Sequence, residues 1–281
     1  MRLIVVGRSP EPPPESPATL GIEDIQQLRQ ILLTQARQAA HSPTPVQIET
    51  QIQQVWRDRA IRQNLQALRQ FTPVDYRAVD VTQEEAFGGL IQEIYRQYGR
   101  LDAAIHGAGI IEDKLIVDKH PDSFDRVFNT KADSAFLLSR YLQPESLKLL
   151  VFFGSVAGRY GNRGQGDYAA ANEVVNRLYL AVKPPLVLTA RVVAINWVLW
   201  DTTGMASEAV KQRFRERGII PISLSAGCQF FLEEVCFGSR EEVEIVAGEG
   251  PWSDWEAIAV SHPFVLLPVP SRTCKPTIVL S

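Results

Sequence analysis

Short apolar runs alternate along this chain with longer stretches in which apolar residues recur every three or four positions. The runs predict six strands, which are Leu3–Val6, Tyr76–Val81, Leu101–His106, Leu149–Phe153, Val192–Trp197 and Val243–Ala247. The longer stretches predict helices at Glu84–Tyr98, Ser123–Leu142, Ala169–Val182, Ser207–Arg217 and Ser225–Glu234. Strands that alternate with helices in this way predict an α/β fold, a doubly wound parallel sheet with helices on both faces.

The segment from Pro10 to Phe71 interrupts the alternation. After a proline-rich turn, its pattern predicts helices over about Ile22–Ala39 and Val46–Arg69, both rich in Gln and Arg. We interpret residues 10–71 as a solvated helical insertion, either a plain hairpin or a docking surface for a neighbouring domain. Periodicity ends after Trp252, which predicts one domain over 1–252 and a linker or tail over 253–281.

Composition excludes several classes of protein. The 281 residues are 45% hydrophobic and 22% charged, which is typical of a globular chain. A net charge of −3 offers no basic excess for binding nucleic acid. No apolar run is long enough for a membrane span, and no signal peptide is recognisable at the N-terminus. The odd, widely spaced Cys228, Cys236 and Cys274 predict reduced structural thiols of a cytosolic protein, without a disulfide or metal site.

The stretch from Gly154 to Asn172 carries the candidate chemistry. It places Ser155 a short glycine-containing loop before Tyr168, and Asn172 follows four residues later. A hydroxyl and a phenol brought together can hold and protonate a carbonyl oxygen, so the stretch indicates a carbonyl reductase. Taken singly, however, Ser155 has the pattern of a helix cap and Tyr168 that of a packing residue.

Further motifs flank this stretch on both sides. They are HGAGIIEDK at 106–114, FDRVFNTKADSAFLL at 124–138, LVFFGSVAGRYGNRGQGDYAAANEVVN at 150–176 and RVVAINW at 191–197. With them the chain resembles the ketoreductase domains of modular polyketide synthases and polyunsaturated fatty acid synthases. These domains belong to the short-chain dehydrogenase/reductase superfamily. Many short-chain reductases carry a lysine one helical turn after the tyrosine. The synthase domains carry it on the preceding helix instead, and Lys131 and Asn172 fit that exchange.

The resemblance implies a role for each of these four residues. Tyr168 would protonate the ketone oxygen, and Ser155 would hydrogen-bond the same oxygen. Lys131 would lower the Tyr168 pKa and assist proton delivery, while Asn172 would hold a relay water. NADPH would supply the hydride, because no side chain can do so.

The resemblance also implies a set of cofactor-binding residues, all at or near predicted strand ends. They are Arg8, Ser9, Asp80, Val81, His106, Gly107, Ala108 and Gly109. Arg8 favours NADPH, because an arginine after this strand accommodates a 2′-phosphate. Asp80 resembles the acidic residue that contacts the adenine, and the glycines permit close approach of backbone to cofactor.

One departure from the family concerns the start of the fold. Family members begin with a strand and a glycine-rich turn that holds the cofactor pyrophosphate, and neither precedes Arg8 here. We therefore expect an N-terminally truncated sheet, with a gap or a direct pairing between Leu3–Val6 and Leu101–His106. A misassigned start, a split or degraded synthase, or a strand supplied by another chain would each explain this. We expect the chain alone to bind NADPH weakly.

The function implied is NADPH-dependent reduction of a carrier-bound 3-ketoacyl thioester, with an acyl carrier protein or other synthase domains as partners. The alternative is a non-catalytic synthase domain, while Asn172 disfavours a sugar epimerase of the same superfamily. Ile111-Glu112-Asp113 lies where one stereochemical class carries Leu-Asp-Asp, which favours a D-configured product. Tyr160 lies where the other class carries tryptophan. NWVLW at 196–200 replaces the usual NWGPW before the predicted substrate lid at Thr202–Arg217.

Overall fold

The computed structural model describes residues 1–38, 43–181, 190–206 and 208–253. The predicted helix boundaries at Ala39, Val182 and Ser207, together with Cys274 and the tail beyond Ser253, lie outside those residues. The chain divides into two compact units, a first unit over Met1–Asp80 and a second unit from Val81 onward.

The first unit contains a two-stranded parallel sheet and two helices. Strand β1 is Leu3–Gly7, and it pairs in register with β2, Val74–Ala78. Because the strands are parallel neighbours, Arg8 and Asp80 follow two adjacent strand ends. The second strand ends before the predicted Val81, so Asp80 and Val81 lie just beyond it rather than within it.

The two helices of the first unit are the predicted insertion. They are α1, Ile25–Gln38, and α2, Pro45–Phe71. The start of α2 is fixed by a capping box, in which Thr44 and Gln47 bond each other's backbone N–H groups at 3.3 and 2.7 Å. Leu28, Ile48 and Ile52 form a small buried core between the helices. The helical insertion is therefore present with its own core.

The second unit is built on a four-stranded parallel sheet with the order β3-β4-β5-β6. The strands are β3 Ala103–His106, β4 Leu149–Ser155, β5 Arg191–Trp197 and β6 Glu244–Ala247. The helices are α3 Glu84–Tyr98, α4 Pro121–Tyr141, α5 Val156–Tyr160, α6 Gly166–Ala181, α7 Glu208–Glu216 and α8 Leu224–Phe237, with a 3₁₀ turn at Ile116–Asp118. Helices flank the parallel sheet, so the predicted Rossmann-like fold class is confirmed.

The core of the second unit lies around β4 and β5. All seven residues of β5 are buried, and Val151, Val193 and Ile195 pack together with Trp197 and Phe230 of α8. This burial of both strand faces accounts for the continuous apolar runs in the sequence. The strands at Leu3–Gly7 and Ala103–His106 belong to different sheets, so the direct pairing considered above is not present among the described residues.

Candidate active site

A cavity of about 370 Å³ opens in the second unit where β4 and β5 end. Its lining includes Ser155 and Trp197, the last residues of those strands, and Gly107, which follows β3. Lys131 and Tyr168 line the same cavity. Ligands of open α/β sheets bind outside the carboxyl ends of the strands, and this cavity has that location.

Ser155 is both a helix cap and a cavity residue. Its Oγ accepts a hydrogen bond from the backbone N–H of Ala157 at 3.2 Å, which caps the short helix α5. The hydroxyl oxygen is therefore engaged as an acceptor, and the hydroxyl hydrogen stays available for donation. The Ser155 hydroxyl is thus suited to bonding a carbonyl oxygen in the cavity.

The Tyr168 phenol lies largely buried near the start of α6. Burial raises its pKa above the ordinary value of 10, and hydrogen bonding with the Ser155 and Asn172 side chains opposes the rise. The nearby Asp113 carboxylate adds a smaller upward effect. Ser155, Tyr168 and Asn172 are therefore brought together in the structure. We expected Lys131 to lower this pKa; the groups that lower it here are Ser155 and Asn172, and burial outweighs them.

Asn172 is completely buried one helical turn after Tyr168. Its Nδ2 donates to the Tyr168 backbone carbonyl at 2.7 Å, whereas its Oδ1 has no hydrogen-bond partner within the described part of the chain. Helix α5 packs directly on this residue, because a Cβ placed on Gly158 would lie 2.7 Å from the Asn172 Cβ. Glycine at position 158 thus brings the helix that follows Ser155 against the helix that carries Tyr168.

Lys131 projects from α4 into the same region and is only 4% exposed. Its Nζ donates to the carbonyl oxygen of Phe153 at 2.7 Å, two residues before Ser155. Burial lowers the Lys131 pKa from 10.5 to about 8. A Cβ on Gly109 would lie 2.9 Å from the Lys131 Cε, so this glycine leaves room for the lysine side chain. Lysine side chains are seldom buried, so Lys131 differs from the solvated surface charge that a helical lysine usually is.

His106 ends β3 and is buried beside these residues. Burial and the charge of Lys131 lower its pKa from 6.5 to about 3, so the ring is neutral. Its Nε2 lies 2.7 Å from Ser134 Oγ, which itself donates to the Thr130 carbonyl at 2.6 Å. Nε2 is therefore the donor, and Nδ1 is a buried acceptor without a partner in the described residues. The buried, neutral imidazole of His106 is therefore a packing group and is unsuited to act as a general base.

The cofactor candidates of the first unit follow its two strands. Arg8 is exposed after β1, and the backbone carbonyl of Ser9 accepts a hydrogen bond from the Tyr76 hydroxyl at 2.7 Å. Asp80 follows β2. Val81 begins the second unit, which also contains His106, Gly107, Ala108 and Gly109.

Gln165 is a cavity residue that was not singled out from the sequence, whereas the other cavity residues below lie in the Asp113 motif, in NWVLW and in the predicted lid. Gln165 donates to both carboxylate oxygens of Asp113 at 3.0 and 3.1 Å, and burial raises the Asp113 pKa. Trp197 and Trp200 form an aromatic wall, with ring centroids 4.9 Å apart. Met205, Phe214 and Arg217 line the cavity from the segment predicted as a lid. The only feature of the sequence that could have indicated Gln165 as a cavity residue is its position in the polar loop before Tyr168.

The residues of the second unit fit the nicotinamide end of a dinucleotide. A Cβ on Gly107 would approach only the Phe153 ring, at 3.9 Å, so open space lies beside this backbone. The unpartnered His106 Nδ1 offers a polar group at the same strand end. No group of three or more metal-ligating side chains occurs in the described residues. None of the described helices is long and apolar enough to cross a bilayer.

The parallel sheet flanked by helices is a Rossmann-like fold, with Ser155 at the end of β4, Tyr168 on α6 and the buried Lys131 on α4. A short-chain dehydrogenase from Streptomyces avermitilis has the same fold, with a TM-score of 0.59 at 15% identity over 72% of this chain and 80% of that one. The model of the KR domain family matches residues 2–202, and the chain belongs to this family. The family is one of oxidoreductases that generally use NAD(P)H.

The relatives are large synthases. The chain is 29% identical over 249 residues to a polyunsaturated fatty acid synthase protein of Thraustochytrium sp., which covers 86% of this chain and 9% of that protein. It is 30% identical over 180 residues to polyketide synthase PksN of Bacillus subtilis, covering 62% of this chain and 3% of that protein. A crystal structure of a ketoreductase domain from the bacillaene assembly line matches with a TM-score of 0.61 at 29% identity. The match covers 71% of this chain and 48% of that one. The chain spans less than a tenth of the length of each of the two synthases.

Proposed function

We propose that this chain reduces the ketone of a 3-oxoacyl thioester to the 3-hydroxyacyl form, with NADPH as hydride donor. The observation that carries the proposal is the cavity lined by Lys131, Ser155 and Tyr168, with Asn172 buried one helical turn after the tyrosine and bonded to its backbone carbonyl. Membership of the KR domain family supports the same reaction.

The proposed reaction needs a proton at the ketone oxygen and a hydride at the ketone carbon. Tyr168 gives its phenolic proton to the oxygen as the carbon–oxygen π bond breaks. The Ser155 hydroxyl hydrogen bonds the same oxygen and stabilises the negative charge that develops there. NADPH, when bound, supplies the hydride, because no side chain of the protein can.

Tyr168 must then regain a proton from solvent. The unpartnered Oδ1 of Asn172 can hold a water close to the phenol. The Lys131 ammonium lines the same cavity, is charged below its pKa of about 8 and can pass a proton on. Lys131 and Asn172 together form the proposed route for the returning proton.

The chain's own residues suggest how the cofactor is held. Gly107, Ala108 and Gly109 would approach the nicotinamide end, with the neutral His106 beside them. Arg8 and Ser9 remain the candidates for the 2′-phosphate, and Asp80 and Val81 for the adenine, by their resemblance to the family.

The cavity walls suit an acyl chain. Trp197, Trp200, Met205 and Phe214 provide apolar surface around the polar floor. The relatives are multidomain synthases, which supports an acyl carrier protein or a neighbouring synthase domain as the donor of the substrate. Asp113, bonded to Gln165 at the cavity wall, belongs to the motif that favours a D-configured 3-hydroxyl.

The test is turnover of 3-oxobutanoyl N-acetylcysteamine thioester by the 281-residue chain, followed by NADPH absorbance. Chiral chromatography of the product gives its configuration. The proposal predicts NADPH oxidation matched by 3-hydroxybutanoyl thioester of D configuration. No product at saturating NADPH would contradict the enzymatic assignment, and an L product would contradict the stereochemical one.

A non-catalytic synthase domain is the second candidate. One observation favours it: burial raises the pKa of the Tyr168 phenol, and Lys131 is not among the groups that oppose the rise. A fluorescence titration with NADPH distinguishes the two candidates. Binding at micromolar concentration supports the reductase, whereas absence of binding up to millimolar NADPH supports the non-catalytic domain.

A further inference from the structure

A buried carboxylate outside the cavity lies among the elements that carry the candidate catalytic residues. Glu244, the first residue of β6, is 1% exposed. Its Oε1 accepts hydrogen bonds from Arg159 at 3.5 Å and Asn196 at 3.2 Å, and its Oε2 lies 3.8 Å from an Arg177 nitrogen. Three different elements therefore meet at one carboxylate.

Each partner belongs to an element of the candidate active site. Arg159 lies on α5, the five-residue helix that Ser155 caps. Arg177 lies on α6, which carries Tyr168 and Asn172. Asn196 of β5 pairs in register with Gly154, the residue before Ser155. The carboxylate of Glu244 thus connects the elements that hold the hydroxyl, the phenol and the buried amide.

The two helices also touch each other directly. A side chain on Gly158 would collide with Asn172, so α5 and α6 pack backbone against backbone beside the site. Helix α5 is too short to hold a fixed orientation by its own hydrogen bonds. Its ends are set by the Ser155 cap and by the Arg159–Glu244 contact.

Charged side chains surround Glu244. Arg159 and Arg177 face it as cations, and the Glu173 carboxylate bonds Arg177 at 2.8 Å. Buried ion pairs contribute little net stability, because desolvation offsets their attraction. Fold stability alone is therefore a weak reason for placing two buried charges between the catalytic helices.

We propose that Glu244 is a positioning residue: by binding Arg159 and Arg177 it fixes α5 against α6, and so sets Ser155 relative to Tyr168. The inference rests on the proposed reductase function, but its consequence for the Tyr168 environment does not require turnover. The Glu244 carboxylate, 48 residues beyond Asn196 in the chain, would then control the placement of Ser155 and Tyr168 at a cavity that Glu244 does not line.

A matched control exists in the same unit. Arg191 and Glu234 form another ion pair, with side chains 7% and 6% exposed. Arg191 is the first residue of β5, six residues before Trp197. At roughly 3.3 Å per residue, this pair lies about 20 Å along the strand from the site. Glu234→Gln therefore removes a buried charge of the same kind away from the candidate catalytic residues.

The experiment compares Glu244→Gln with Glu234→Gln in the full chain. We expect Glu244→Gln to lower kcat by on the order of tenfold to a hundredfold while KM changes less than about twofold, because the reacting groups are misaligned. Glu234→Gln should lower the melting temperature by a similar amount and leave kcat within about twofold. Equal kcat in the two variants would overturn the proposal.

A second readout is independent of turnover. Selective ¹³C labelling of the tyrosine Cζ atoms, assigned with Tyr168→Phe, reports the Tyr168 pKa by NMR titration. A displaced Ser155 no longer lowers this pKa, so Glu244→Gln should raise it by about 0.5 pH units or more, and Glu234→Gln should not. An unchanged value would overturn the proposal. A raised value in a chain without turnover would keep it and reject only the reductase assignment.

A double variant covers the case in which Glu244→Gln fails to fold. Combining it with Arg159→Met removes the buried guanidinium that faces Glu244 and leaves Arg177 bonded to Glu173. The double variant should fold and show the same loss of kcat and the same rise of the Tyr168 pKa. If neither variant folds while Glu234→Gln does, Glu244 serves stability alone and the positioning role is wrong.

Discussion

Replacing Lys131 with methionine should make the protein more stable while removing the proposed cation of the active site. The Lys131 side chain is buried, and its pKa falls from 10.5 to about 8 in the folded protein. Methionine has a similar length and no charge to desolvate. Stability and turnover of this one variant therefore show separately whether the Lys131 charge destabilises the fold and whether it contributes to catalysis.

The magnitude follows from the change in pKa. A fall of about 2.5 pH units corresponds to roughly 3 kcal/mol at 1.36 kcal/mol per unit, at a pH where the folded lysine is charged. The substitution also removes the hydrogen bond from Lys131 to the Phe153 carbonyl, which contributes about 1 kcal/mol. At pH 7 we therefore expect Lys131→Met to raise the free energy of unfolding by about 2 kcal/mol.

The difference in stability between wild type and Lys131→Met should depend on pH. The folded pKa of Lys131 lies below the unfolded pKa, so the penalty is complete below about pH 8 and disappears as the pH approaches 10.5. The wild-type protein should therefore gain stability relative to Lys131→Met between these values. By pH 9.5 the advantage of the variant should shrink to less than about 1 kcal/mol.

The assay is urea unfolding of both proteins at pH 7 and pH 9.5, followed by tryptophan fluorescence. Trp197, Trp200 and Trp252 report on the second unit, which contains Lys131. A variant that is less stable than wild type at pH 7, or an advantage that is independent of pH, would refute the argument that Lys131 is charged and desolvated.

Two further predictions concern the same site. Turnover should decline as the pH rises through about 8, because Lys131 then loses its proton, and a rate that stays level to pH 9.5 would contradict this. Gly158→Ala should cost about 1–3 kcal/mol and reduce turnover, because its Cβ would lie 2.7 Å from the Asn172 Cβ. Gly89→Ala on α3 is the control, since its Cβ meets no atom within 4 Å and the change should be neutral or stabilising. Equal effects of the two substitutions, by thermal melting and steady-state assay, would disprove the close packing of α5 on α6.

Local signals in the sequence are sufficient to predict the longer helices and strands. The pattern predicts helix α3 at Glu84–Tyr98 and the helix has those bounds, because acidic residues open it and Gly99 ends it in the left-handed conformation. All six predicted strands are present, although β2 is shifted toward its N-terminus. Helix α5 escapes prediction, because five residues that include Gly158 show no helical period.

The candidate site is predictable where its residues are close in sequence. Ser155, Tyr168 and Asn172 lie within one loop and one helix turn, and the structure brings them together. The Glu244 contacts could not be predicted, since Arg159 and Asn196 are 85 and 48 residues away in the chain. The direction of the Tyr168 pKa was also inaccessible, because the sequence does not give the extent of burial that outweighs the neighbouring hydrogen bonds.

The most direct test of Tyr168 as the proton donor is the turnover of Tyr168→Phe, measured with NADPH and 3-oxobutanoyl N-acetylcysteamine thioester beside an NADPH binding titration. Phenylalanine keeps the ring and removes only the proton that the ketone oxygen needs. We expect a loss of kcat of about a hundredfold or more, with cofactor affinity and melting temperature nearly unchanged. Turnover within about twofold of wild type would contradict the assignment of Tyr168 as the proton donor.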